Sequence, residues 1–91
     1  MAIAVLFTPK SMTASKYDEV IKRLEKAGAS APAGRLYHAS FGSSNQLHVF
    51  DVWDSAESFQ KFGQTLMPIL QQEGVDPGQP AISELYNTIK G

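Results

Sequence analysis

Residues 2–8, AIAVLFT, form an unbroken apolar run closed by Pro9, which reads as a first strand. From Thr13 to Ala27 the pattern changes period. Tyr17, Val20, Ile21, Leu24 and Ala27 recur at helical spacing, with Asp18, Glu19, Lys22, Arg23 and Lys26 on the other side. The acids come early and the bases late, which suits the helix dipole, and Gly28 stands where a left-handed C-cap belongs. SAPAG, at 30–34, is loop by composition. RLYHASF (35–41) and QLHVFDVW (46–53) then form two strands joined by GSSN, a link short enough to make them an antiparallel hairpin.

Asp54 and Glu57 have the spacing of a capping box, and Phe59, Phe62, Leu66, Ile69 and Leu70 mark a second amphipathic helix over 54–73. Pro68 predicts a kink or break near Leu66-Met67, because its ring removes a donor and crowds the preceding turn. Gly74 ends this helix, with Val75 placed to fold back on Leu70. VDPGQP is a rigid loop, and AISELYNTI (81–89) reads as the last strand.

The order strand, helix, strand, strand, helix, strand over residues 1–91 predicts one ferredoxin-like α+β domain, with a four-stranded antiparallel sheet and both helices on one face. The strands do not alternate as a sheet with one wet face should. Ile3, Val5 and Phe7 oppose Ala4 and Leu6; Leu47, Val49 and Trp53 oppose Phe50 and Val52. Two helices cover only one such face. The other is expected to be buried in a homodimer that stacks sheet on sheet, the alternative being a half-exposed ligand groove on a monomer.

Composition narrows the function classes. Hydrophobic residues are 43% and charged residues 19%, so the chain folds around a core and has a lightly charged surface. With a net charge of -1 and no basic cluster beyond Lys22, Arg23 and Lys26, nucleic acid and anionic membranes are not expected partners. There is no cysteine, which removes disulfides, thiolate catalysis and Cys-based metal sites. MAIAVLF lacks the basic start and cleavage pattern of a leader, and no apolar run reaches the ~18 residues of a membrane helix; the expectation is a cytoplasmic protein. No glycine loop opens a helix for phosphate, no nucleophile elbow occurs, and no cofactor is implied.

Strand parity decides which chemistry meets. Taking GSSN as the turn pairs positions that sum to 87, placing His38 across from Val49 and diagonal to Asp51, with Trp53 on the same face; a three-residue turn would bring His38 and His48 together instead. On the second strand Leu36, His38 and Ser40 share a face opposite Arg35, Tyr37, Ala39 and Phe41. A carboxylate beside an imidazole fixes its tautomer and strengthens it as a base, so His38 and Asp51 are the candidate catalytic pair. Equally, a buried aspartate is commonly held by hydrogen bonds or by an ion pair such as one with Arg35, and a strand histidine is commonly a satisfied core residue. Tyr17, Trp53, Phe62 and Leu66 are the expected ligand-binding lining of a cavity between helices and sheet, with Trp53 a wall for a planar substrate. His38, His48 and Asp51 lack metal-ligand spacing.

VWDSAESFQKF, a tryptophan ending a strand and followed by a Ser-containing acidic helix start, resembles the dimeric α+β barrel superfamily, and within it antibiotic-biosynthesis-monooxygenase-like proteins. RLYHASF, FDVWDSAESFQKFGQTLMPIL and GVDPG are similar to small bacterial members. The resemblance covers nearly the whole chain and implies the fold and dimerisation. It implies either cofactor-independent oxygenation of a polycyclic phenol held between helices and sheet, or haem breakdown with a helical histidine as iron ligand. The second helix has no histidine, which counts against haem. A non-catalytic small-molecule binder or accessory dimer on the same fold is the competing expectation.

Overall fold

A computed structural model describes residues 1–91. Six elements follow in the expected order: β1 (Ile3–Phe7), α1 (Ala14–Lys26), β2 (Arg35–Ser43), β3 (Gln46–Trp53), α2 (Ala56–Gln72) and β4 (Ala81–Glu84). The strands form one antiparallel sheet in the order β2-β3-β1-β4, the ferredoxin-like α+β arrangement. No helix is long and apolar enough to cross a membrane.

The core lies between the sheet and the helices. Ile3, Val5 and Trp53 from the strands meet Val20 and Leu24 of α1 and Phe62, Ile69 and Leu70 of α2. These are the faces that the sequence periods assign. Thr13 caps α1 by accepting from Lys16 N, and Gly28 (φ 73°) reverses the chain so that Ala29 N reaches Leu24 O at 2.8 Å. At the end of α2, Gly74 (φ 69°) does the same and buries Val75, whose N–H reaches Leu70 O at 2.9 Å.

Four boundaries differ from expectation. The cap of α2 is Ser55, not Asp54: its hydroxyl accepts from Ser58 N at 3.1 Å, so the box is displaced by one residue and does not use Glu57. Of the kink or break expected at Pro68, the break does not occur: α2 runs through it to Gln72, with Ile69 and Leu70 buried just beyond the ring. β4 ends at Glu84 rather than Ile89, because its last bond, Leu85 N to Ala2 O at 3.0 Å, uses up the partners that β1 offers. β2 extends past Phe41 through Gly42 (φ 111°) and Ser43, leaving Ser44 and Asn45 as a two-residue turn.

The last difference resets the hairpin. Ser43 pairs with Gln46 and His38 pairs directly with Asp51, so positions sum to 89, not 87. Parity is unchanged, and His38 shares a face with Asp51 as expected; His48 lies on the other face, against Phe41. The turn is also tied to the start of α1, since Ala14 N donates to Ser44 O at 2.8 Å and Leu47 N to Met12 O at 2.7 Å.

Near the start of β2 the ladder is irregular. Arg35 pairs with Trp53 and Tyr37 with Val52, which leaves Leu36 as the extra residue of a bulge. The bulge turns Arg35 to the helix side, with His38, where strict alternation would put it opposite.

Candidate functional site

Asp51 is carried by β3, one of the two inner strands of the sheet, and is only 3% exposed. A carboxylate so placed has to have its oxygens satisfied. It does: His38 Nδ1 lies 2.6 Å from Oδ1, and Trp53 Nε1 donates to Oδ2 at 3.3 Å. The anticipated ion pair with Arg35 is not formed; the carboxylate is held by the imidazole and the indole instead.

The far nitrogen of the imidazole is engaged as well. Tyr17, projecting from the first turns of α1, has its hydroxyl 2.7 Å from His38 Nε2, with the two rings nearly parallel at 9° and centroids 6.1 Å apart. For a neutral imidazole this network assigns the proton to Nδ1, facing the carboxylate, so that Nε2 accepts from the tyrosine hydroxyl. The result is a directional chain of Tyr17, His38 and Asp51. No buried side-chain polar atom lacks a partner.

The chain opens on a cavity between the helices and the sheet. Five of the six expected residues line it, namely Tyr17, His38, Asp51, Phe62 and Leu66, together with Val20, Leu24, Val49, Leu70 and Val75. Trp53 does not: with 0% exposure it lies behind Asp51, packed against Phe59 and Phe62 at centroid distances of 5.7 and 5.3 Å. The expected aromatic wall is therefore a buried support that orients the carboxylate. Arg35 lines the cavity too, and its guanidinium carbon lies 5.9 Å from the centre of the Phe62 ring.

The space between these side chains is about 60 Å³ and partly open to solvent. An apolar cavity of about 150 Å³ accepts benzene, so a ring enters here only by displacing lining side chains. The polar lining residues are Tyr17, His38, Asp51 and Arg35, and the rest of the lining is apolar. Such a site orients a flat apolar molecule by one polar edge.

Sequence reasoning grouped Tyr17 with the lining and left its bond to His38 unforeseen. Its helical phase shows that it faces the sheet, but phase does not say which strand residue it meets. Arg35 was missed because a bulge has no signature in hydrophobic period.

No protein-family model matches the chain, and no curated protein does. Among solved structures, the chain is similar to a provisionally named antibiotic biosynthesis monooxygenase from Chloroflexus aurantiacus J-10-fl, at 14% identity over 99% of this chain and 98% of that one, with a TM-score of 0.69. It is similar to SnoaB, a cofactor-independent oxygenase from Streptomyces nogalater, at 14% identity, 99% and 96% coverage and a TM-score of 0.63. A third, NE2512 of Nitrosomonas europaea, a protein of unknown function, has 14% identity, 99% and 93% coverage and a TM-score of 0.59. The chain thus has the ferredoxin-like α+β fold shared by antibiotic-biosynthesis-monooxygenase-like proteins, over nearly the full length of each.

Proposed function

We propose that the protein is a proton-abstracting enzyme of the cofactor-independent monooxygenase type, acting on a planar, mostly apolar carbon acid or phenol. The observation that carries this reading is the Tyr17, His38, Asp51 chain at the polar end of an otherwise apolar cavity. Because Nε2 is already occupied by Tyr17, the histidine acts on the substrate through the tyrosine. The phenol oxygen takes the substrate proton while its own proton passes to His38 Nε2, and the imidazolium so formed is held by Asp51. The relay leaves an enolate or phenolate in the cavity and a His38–Asp51 ion pair behind it.

The shared fold with SnoaB supports dioxygen as the second substrate, although fold alone does not carry activity. For an activated methylene, one methylene and one dioxygen give one carbonyl and one water. Both C–H bonds of the methylene and the O–O bond break, a C=O bond forms, carbon loses four electrons and dioxygen gains them.

The assembly proposed alongside is a homodimer through the helix-free sheet face. Leu36, Tyr37 and Phe41 are exposed on β2, and Phe50 and Val52 border a recess of about 620 Å³ beneath the 85–91 segment. That much apolar surface suits a second copy.

The test is deuterium exchange into the methylenes of 2-indanone, followed by NMR without oxygen, and then oxygen uptake in air. Exchange faster than buffer, falling at least about 100-fold in Tyr17→Phe and His38→Ala, is expected from a general base. Equal exchange in all three proteins would overturn the catalytic reading. The small enclosed volume favours the second reading, a non-catalytic binder, for which 2-indanone would bind without accelerated exchange.

A further inference from the structure

We infer that Arg35 is the oxyanion-binding residue of this site: its guanidinium holds the substrate oxygen on which charge appears when the Tyr17–His38 relay removes a proton, which limits substrates to enolisable ketones and phenols. The inference rests on the relay reading above and adds the residue that stabilises the product of proton removal.

It comes from counting donors. An enolate or phenolate oxygen formed in an apolar cavity needs N–H or O–H groups, since water is largely displaced. Tyr17 is committed to His38, His38 Nδ1 to Asp51, and Trp53 Nε1 to Asp51. Arg35 is the remaining lining residue with side-chain donors to spare. A guanidinium has five N–H groups; here Ser30 O accepts one from Nη2 at 3.0 Å, and no carboxylate pairs with the rest. Of the carboxylates in close contact with a basic side chain, Glu73 is held by Arg23 and Asp51 by His38, so the charge of Arg35 is not neutralised by a protein anion.

Its position is built. The Leu36 bulge turns Arg35 inward, Gly34 just before it adopts φ 91°, and Gly34 O accepts from Asp54 N at 2.7 Å, pinning the start of β2 to the start of α2. A Cβ at position 34 would lie 2.5 Å from the Ser58 side chain, so the close approach requires glycine. The guanidinium of Arg35 then lies over the Phe62 ring, which holds the cation beside the cavity without cancelling its charge.

The experiment uses 4-nitrophenol, whose anion is read by its visible absorbance, titrated with wild type, Arg35→Met and Arg35→Lys. A cation within about 4–6 Å of an ionising oxygen lowers its pKa by about 1–3 units. Wild type is therefore expected to bind the anion at least about tenfold more tightly than the neutral phenol. Arg35→Met should bind the neutral phenol and lose this preference; Arg35→Lys should keep part of it. An undiminished preference in a folded Arg35→Met overturns the assignment while leaving the relay intact. Should Arg35→Met fail to fold, loss of the preference in a folded Arg35→Lys overturns it and retention supports it. If wild type binds neither form of 4-nitrophenol, both this inference and the cavity reading fall.

Discussion

Asp51→Asn should leave the protein folded while reversing the polarity of its hydrogen-bonded chain. In wild type the carboxylate faces two donors, His38 Nδ1–H at 2.6 Å and Trp53 Nε1–H at 3.3 Å. An asparagine keeps one acceptor and gains two donors. The arrangement that satisfies every group puts the amide oxygen toward Trp53 and the amide nitrogen toward His38, which requires the imidazole to move its proton from Nδ1 to Nε2. Nε2–H then donates to the Tyr17 oxygen, and the relay has no base. Replacing the two charge-assisted bonds (about 1.5–3 kcal/mol each) by neutral ones (about 0.5–1.5 each) costs about 1 kcal/mol per bond, about 2 in all. In a domain of this size, where 1 kcal/mol is about 4–8 °C of Tm, that is about 8–16 °C.

Asp51→Ala is the contrast. It strands two buried donors at about 1–3 kcal/mol each, a large share of the total stability expected at about 0.05–0.15 kcal/mol per residue. Two measurements check this. Thermal unfolding followed by Trp53 fluorescence should place Asp51→Asn below wild type and Asp51→Ala lower still. Nitrogen-15 NMR of the His38 ring should show the Nδ1–H form in wild type and Nε2–H in Asp51→Asn. An unchanged tautomer, or equal destabilisation by both substitutions, would refute the reasoning.

Gly34→Ala should lose about 2 kcal/mol or more, from positive-φ strain and the 2.5 Å approach to Ser58, whereas Gly28→Ala, with φ 73° and nothing within 4 Å, should lose about 1; chemical denaturation of the pair separates contact from strain. In solution the wild-type mass by light scattering should be that of two chains at micromolar concentration, and Tyr37→Glu, at a side chain 57% exposed on the single chain, should halve it. A single-chain mass for wild type removes the dimer.

The sheet and both helices were legible in the sequence because their apolar periods are long and uninterrupted. Ile3, Val5 and Phe7 point to the helices, and Val20 and Leu24 to the sheet, as their spacing requires. Parity also brought His38 to the face of Asp51. The expected partner of His38 was two residues off because Gly42 and Ser43 look like turn but pair as strand, the glycine taking φ 111° within the ladder. Trp53 shows the complementary failure. Its face was right, but a period does not report depth, and the ring lies under the cavity instead of in it. Pro68 was read by its local cost, which the packing of Ile69 and Leu70 outweighs.

The Ser44–Asn45 turn joins three parts of the site that are distant along the chain. It sets which residue of β3 meets His38, and through the bond from Ala14 N to Ser44 O it also anchors the helix that carries Tyr17. One inserted residue there would exchange His38's neighbour from Asp51 to a side chain of the other face and release the anchor of α1 in the same step. Chain length between positions 43 and 46 is therefore under tighter constraint than the identities of Ser44 and Asn45. Among relatives, conservation of that spacing, more than of any single residue there, should mark those that retain the Tyr17, His38, Asp51 chain; an alignment in which the spacing varies while all three residues persist would contradict this.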